Sequence, residues 1–376
     1  MTRLPAPTGP SRRRPRRRLA AGVAACATLA LLTACGAGGS TDSGSTALTF
    51  AVPDQSMSAA TASYATVPQT MGYFEEEGLT VTMQPVESAL AAIQSVASGQ
   101  SMCTYASTAN AFTLAAGDPN VVILGTTNGN IFRTVAPESS GYTSMADLEG
   151  KVVGTNVLGA VSVDLAKGGM RDAGVEPQDD QFLAVGYGTQ AAQAFTAGDI
   201  DAYSGYDGPN MVIEGLLGEP LVELESSAND LTGTSSLVCA REAVESQPDA
   251  VTGVWRSFFK GMVFSAENPE AAITMHWQEF PASKPGGTDE AAALDDAVAQ
   301  LSKRLETTGG PGSAGGYGEQ TDEDLEKTRT FYADNGIITE DAASVALGEI
   351  TDYSLVEGYN DFDAAAVAEQ ARNWTE

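Results

Sequence analysis

The side chains in this 376-residue chain that could do chemistry are weighted toward holding a molecule, not transforming one. Ser56, Ser107, Thr108, Asn110, Asn128, Asn156 and Gln190 can exchange hydrogen bonds with a polar ligand. Tyr64, Tyr105, Tyr187 and Tyr206 can stack on a ligand or wall it in, and Asp54 and Asp207 add carboxylates. Each has a structural alternative. Short polar side chains cap helices and close turns, and tyrosines fill cores. Asp207, standing before Gly208-Pro209, reads equally as a helix cap and as a ligand contact. Bond-making machinery is thin. His276 is the only histidine, beside Trp277 in a helical stretch, and reads as a packing residue. With no G-x-S-x-G segment, a serine nucleophile with its base has no support, and one histidine leaves no Cys/His zinc site. Gly186-Tyr187-Gly188-Thr189-Gln190-Ala191 imitates a dinucleotide fingerprint, with Asp207 at a suitable distance. It lies in the middle of a series of strands and helices, so it reads as a glycine-rich loop opening a helix, with no cofactor.

The elements that must position these residues alternate. Short β-branched runs and helical patterns follow one another, which argues for βαβ units and a largely parallel sheet. Strands are predicted at 48–52, 79–83, 102–105 and 121–124, with helices at 58–71, 87–98 and 110–116. A second series opens at Ser144, whose spacing to Asp147 suggests a capping box. It predicts strands at 151–154, 182–185, 200–203 and 221–224 and helices at 161–173, 189–197 and 209–217. A strand at 236–239 then leads into a mostly helical section, with Asn268-Pro269 as a cap and first turn. Residues 307–320 are too rich in glycine for a regular element, and Thr321 with Asp324 reopens a helix. The candidate residues fall in, or at the edges of, loops after predicted strands. There helix N-termini offer unpaired N–H groups and the positive end of the helix dipole.

The N-terminal segment has its own logic. Arg12 to Arg18 form a basic cluster, and Leu19 to Ala34 carry no charge, which is the order of a secretory signal. Leu32-Thr33-Ala34-Cys35 resembles a bacterial lipobox, so Cys35 is read as the lipidated first residue of the exported chain, tethered to the outer face of the cell membrane. Gly36–Thr46 is a flexible linker. The apolar run is shorter than the roughly 20 residues a spanning helix needs. Residues 1–34 hold seven of the 20 Lys and Arg and none of the 49 Asp and Glu, leaving 13 basic against 49 acidic residues, a formal balance of −36. That surface repels phosphate backbones, which excludes nucleic-acid binding. Inside the fold only Cys103 and Cys239 remain. Both sit in apolar strand-like runs and read first as buried free thiols. A disulfide is open to them if the two strands are neighbours.

Four blocks carry a family resemblance: GYFEEEGLTV (72–81), ALAAIQSVASGQ (89–100), DLEGKVVGTN (147–156) and AFTAGDIDAYSGYDGP (194–209). They resemble the substrate-binding lipoproteins of ABC importers for nitrate, taurine, aliphatic sulfonates and thiamine-pyrimidine precursors. Met102 departs from the pattern, standing where the family commonly has an acidic residue. The resemblance implies an α/β, two-lobed periplasmic-binding-protein-like fold of type II, with two crossover hinge strands and extra C-terminal helices. Lobe 1 would be 47–132 plus 236–376 and lobe 2 would be 133–235. It also implies a non-enzymatic, monomeric binder that captures a small ligand between the lobes and hands it to a permease and its ATPase. The ligand-binding candidates are Asp54, Ser56, Tyr64, Tyr105, Ser107, Thr108, Asn128, Asn156, Tyr187, Tyr206 and Asp207. The loops contain no lysine or arginine, and tyrosines with carboxylates suit a heteroaromatic or amine-bearing ligand such as a thiamine-pyrimidine precursor. Nitrate, taurine or an alkyl sulfonate held by N–H groups and hydroxyls is the alternative within the fold. An exported ligand sensor without transport is the alternative of another class.

Overall fold

The computed structural model describes residues 45–286 and 289–375, so the signal, Cys35 and most of the linker lie outside the described residues. The first part of the chain runs Thr46–Val52 (β1), Val67–Thr70 (α1), Tyr73–Glu76 (α2), Leu79–Pro85 (β2), Ala89–Ala97 (α3), Cys103–Ser107 (β3), Thr108–Gly117 (α4) and Val121–Thr126 (β4). The second runs Phe132–Pro137 (β5), Val153–Thr155 (β6), Val161–Asp172 (α5), Phe182–Ala184 (β7), Thr189–Ala197 (α6), Ala202–Tyr206 (β8), Asp207–Leu217 (α7) and Leu221–Glu223 (β9). Ser235–Ala240 (β10) returns to the first sheet. The helices Arg241–Ser246 (α8), Pro248–Glu267 (α9), Pro269–Glu279 (α10), Glu290–Thr308 (α11) and Asp322–Asp334 (α12) follow, with four short helices closing the chain.

Two five-stranded sheets result, ordered β2-β1-β3-β10-β4 and β7-β6-β8-β5-β9. Each sheet has four strands running in one direction and one inserted antiparallel strand: β10 between β3 and β4, and β5 between β8 and β9. These are the strands that follow the two crossings between sheets, through residues 127–131 and 224–234. The two-lobed α/β fold expected from the resemblance is the one found.

Burial explains the strand assignments. Every residue of β3, β4 and β10 is buried, as strands covered on both faces require. The largest core joins the first sheet to the C-terminal helices, and two smaller cores cover the faces of the second sheet. In α9, Pro248 occupies the first turn, where its missing N–H costs nothing. Val251, Val254, Trp255, Phe258 and Met262 form its buried stripe. Among the described residues no helix is long and apolar enough to cross a membrane.

Two expectations are corrected. The single helix predicted over 58–71 is a 3-10 turn at Ala59–Thr61, a π-helical turn at Ala62–Thr66 and then α1. Pro68 has no N–H to give the carbonyl of Tyr64, so a regular helix cannot pass through. Cys103 and Cys239 are not free thiols but a disulfide, with sulfurs 1.97 Å apart. Strands β3 and β10 are neighbours and place the two residues directly opposite each other. The strand β5 was not anticipated, because Arg133 interrupts its apolar run. Arg133 is satisfied there by Glu223 and by the carbonyls of Asn130 and Phe132.

The disulfide closes a separation of 136 residues in the core, so its loss has a stability signature. Replacing both cysteines with alanine should lower the unfolding free energy by about 2–5 kcal/mol. A urea midpoint unchanged from wild type under non-reducing conditions would show that the bond contributes nothing.

Candidate ligand-binding cleft

A cavity of about 340 Å³ opens where the strand ends of the two sheets face each other. Its first wall begins in the turn after β1. Asp54 Oδ1 accepts from the Ser56 N–H and hydroxyl at 2.9 and 2.6 Å, and Oδ2 from those of Ser58 at 3.1 and 2.5 Å. The carboxylate lines the cavity with its acceptor sites already filled, and the Ser56 hydroxyl is used in filling them. Met57 in this turn has φ +49°, unusual for a residue with a side chain. Its carbonyl lies 2.7 Å from Nε2 of the buried His276, whose Nδ1 lies 2.7 Å from Thr66 Oγ1. The lone histidine therefore packs, and it also holds the turn that carries Asp54.

The π-helical turn presents Tyr64, and β3 presents Tyr105, whose hydroxyl meets Thr127 Oγ1 at 2.7 Å. Phe258 of α9 stands behind both rings, 5.3 and 5.1 Å away by centroid. At the end of β3, Ser107 and Asn110 line the cavity around the N-terminus of α4. Ser107 Oγ is buried and has no partner among the described residues. Thr108 is turned away, bonded to the Gly233 carbonyl and Ser236 Oγ at 2.6 and 2.7 Å. Asn128 also stays out of the cavity, its Oδ1 accepting from the Gly129 N–H.

The second sheet supplies the opposite wall. Asn156, after β6, donates to the Tyr187 hydroxyl at 2.5 Å. Tyr187 stands edge-on to Tyr206, with centroids 6.3 Å apart. The residues Ala160 and Val161 bring the N-terminus of α5 to the cavity, and no side chain caps it. The exposed part of the lining carries Leu90 from α3 and Val157, with Glu87 and Ser88 just before α3. Burial raises the pKa of Tyr64, Tyr105, Tyr187 and Tyr206, so all four phenols stay neutral.

The largest departure from the sequence reading concerns charge. Asp207 does not line the cavity. Its two oxygens take the Nε–H and Nη2–H of Arg304 at 2.7 and 2.6 Å, with both side chains buried. Arg304 comes from α11, far along the chain, and lines the cavity beside Tyr206, its guanidinium carbon 5.8 Å from that ring's centroid. Burial alone would depress its pKa, but the charge and hydrogen bonds of Asp207 raise it overall. Its Nη1 makes no bond among the described residues. Nothing in the spacing of 290–308 marks Arg304 as a cleft residue. The one available hint was an arginine in a stretch otherwise patterned for helix packing. Ser235, which also lines the cavity, was likewise missed.

A polarity balance follows. The carboxylates of Asp54 and Asp207 are occupied internally and that of Glu87 is exposed, whereas among the buried groups donors are left open: Ser107 Oγ, Arg304 Nη1 and the N–H groups that follow Thr108 in the first turn of α4, the Thr108 N–H itself donating to the Thr234 carbonyl at 2.9 Å. The buried part of the cavity asks for acceptors. Its lining holds no histidine or cysteine, and among the described residues no cluster of three or more His, Cys, Asp or Glu could hold a metal.

A family model described as NMT1/THI5-like matches residues 62–272. A search of curated proteins finds no sequence match. Three solved structures are similar in fold. The periplasmic aliphatic sulphonate binding protein SsuA from Escherichia coli has a TM-score of 0.61 at 15% identity, covering 81% of this chain and 91% of that one. The alkanesulfonate-binding protein SsuA from Xanthomonas axonopodis pv. citri, bound to MOPS, has a TM-score of 0.58 at 14% identity, covering 81% and 98%. The desulfurization enzyme DSZB has a TM-score of 0.54 at 13% identity, covering 84% and 98%. At these identities the likeness is one of fold.

Burial, opposed by the Met57 carbonyl and by Asp54, lowers the pKa of His276. The unfolded chain then binds a proton near the ordinary histidine value of about 6.5, before the folded chain does. Stability contributed at neutral pH is therefore lost as pH falls below about 6.5, by at most about 1.4 kcal/mol per pH unit from this group. Urea unfolding of wild type and His276→Gln between pH 7.5 and 5.5 should show the steeper decline in wild type. Parallel curves would remove His276 as the cause.

Proposed function

The chain belongs to the NMT1/THI5-like family, and from that premise we propose that it is the extracytoplasmic solute-binding component of an ABC importer. It captures a small organic molecule between its lobes and performs no chemistry on it. Lobe 1 is assigned to 47–132 with 236–376 and lobe 2 to 133–235, so the two crossings are the hinge and closure about them hides the ligand. Cys35 carries the lipid that keeps the binder at the outer face of the membrane, where permease and ATPase receive its cargo. The two SsuA structures, named as sulfonate binders, support a binding role. The enzyme DSZB shares the fold, but here the cavity lining holds no histidine or cysteine. The only cysteines among the described residues are joined to each other.

The observation that carries the ligand assignment is the open donor set around Ser107. The buried hydroxyl stands at the uncapped N-terminus of α4, with Arg304 lining the same cavity. Such a site seats a group rich in acceptors, a carboxylate, a sulfonate or a strongly polarised carbonyl. The tyrosines, with Leu90 and Val157, suit a flat or short aliphatic body. An amine finds less than the sequence suggested, because Asp54 and Asp207 already have partners and Glu87, the other carboxylate of the lining, is exposed to water. The preferred ligand class is therefore an acceptor-headed organic molecule, and the aminopyrimidine class ranks second.

A thermal-shift panel of aryl and alkyl sulfonates, carboxylates, taurine, nitrate and aminopyrimidines tests this directly. A ligand at about one hundred times its dissociation constant adds roughly 2.7 kcal/mol of stability. Acceptor-headed members should raise the melting temperature, and Ser107→Ala should weaken their binding by about fivefold, the loss of one hydrogen bond of about 1 kcal/mol. Silence across the panel would count against capture as the function. A response from aminopyrimidines alone would overturn the ligand class.

A further inference from the structure

Asp207 and Arg304 are not needed as a pair to hold a ligand, yet they form a buried bidentate ion pair at the base of the cleft. The helices they stand on belong to different lobes. Helix α11 is rooted in the first core through Ala297, Leu301 and Leu305, and α7 is rooted in a second-sheet core through Ile213. The pair also sits at the first crossing. The Asp207 N–H donates to the Ile131 carbonyl at 3.1 Å. At Gly129, φ is +72° and a Cβ would come within 2.6 Å of the Thr307 carbonyl, so the end of α11 rests directly on the crossing. A second interlobe pair, Lys303 with Glu223 at 3.6 Å, is half-exposed and weak by comparison.

We infer that Arg304 and Asp207 form a clasp between α11 and α7 that sets how far the cleft opens. Rotation about the crossings separates the partners and returns both charges to water. Closure desolvates them together, so attraction and desolvation nearly cancel, and the pair selects one geometry without locking it. Removing one partner leaves the other charge buried and uncompensated in the closed form, which penalises closure. Removing both lifts that penalty. The inference concerns the ligand-free protein and uses the capture reading only for its consequence, that the cleft wall at Tyr206 and the lobe angle are set by the same guanidinium.

The test measures the interlobe distance without ligand, by spin labels on Gln84→Cys and Leu183→Cys. These are exposed positions on β2 and β7, the outer edge strands of the two sheets; Cys103 and Cys239 are paired and will not label, and the label-free background carries Cys26→Ser and Cys35→Ser. Asp207→Asn and Arg304→Gln should each shift the distribution away from wild type, toward an open cleft. The double variant Asp207→Asn with Arg304→Met should return toward wild type, a non-additivity that separate local effects would not produce. Arg304→Lys keeps the charge but loses the two-pronged geometry, and should give an intermediate shift if Arg304→Gln does not fold. A wild-type distribution in Asp207→Asn and Arg304→Lys would overturn the clasp, as would a double variant opened by the sum of the singles. Either result leaves the panel of ligands unaffected, so the two failures are distinguishable.

Discussion

The insertion of β10 between β3 and β4 is the constraint on which the cleft depends. The strand returning from the second sheet fills the gap between two strand edges and runs antiparallel to both. Its register then places Ser235 opposite Ser107 and Cys239 opposite Cys103, so the disulfide and the cleft hydroxyls are fixed by one alignment. A slip of one residue would turn every side chain of β10 to the other face. Trp255 donates its indole N–H to Cys239 Sγ at 3.2 Å, which ties α9 to the same strand. The rigid end of β3 sets the direction of α4, whose first N–H, that of Thr108, is tied to the Thr234 carbonyl, and the N–H groups that follow it face the site.

The polar groups of the cavity divide into those the protein has satisfied and those it has not. Asp54 gathers four donors from its own turn, Tyr105 has Thr127, and Tyr187 has Asn156. A buried hydroxyl left without a partner is costly in a low-dielectric interior, and such groups are few in native proteins. Ser107 Oγ is one of them. It stands at a helix N-terminus in a cavity that the buried Arg304 guanidinium also lines, and the cavity's tyrosines are held neutral by the same burial.

The fold was legible in the sequence because it rests on local signals. The alternation of strands with helices, the capping box at Ser144 and the cap of Thr321 on the Asp324 N–H all appear where the spacing placed them. The cleft was legible only in part. Asp54, Tyr64, Tyr105, Ser107, Asn156, Tyr187 and Tyr206 line the cavity, since loops after parallel strands must converge there. Ser56, Thr108, Asn128 and Asp207 occupy those same loops, but each is consumed by a nearby partner. Which way a short polar side chain turns is decided by register and by long-range neighbours, and spacing along the chain carries neither. The disulfide belongs to the same class, because neighbour relations between β3 and β10 span the whole second lobe.

The charge of the site was misread for a reason that applies to other two-lobed folds. Counting ionisable residues in the loops assumes that loops build the cavity, whereas here α11 of the C-terminal section brings Arg304 to it from nearly one hundred positions beyond Asp207. The apolar stripe of Ala297, Leu301 and Leu305 must face the first core, and Arg304, at the edge of that stripe about 20° from Ala297 in helical phase, is carried toward the crossing. A guanidinium delivered there needs a counter-charge, because a buried cation without one is strongly disfavoured. Asp207 fills that need. A carboxylate that looked like a lure for cations is instead the support for an arginine, and the open groups in the buried part of the cavity are donors, with the Glu87 carboxylate left at the exposed surface.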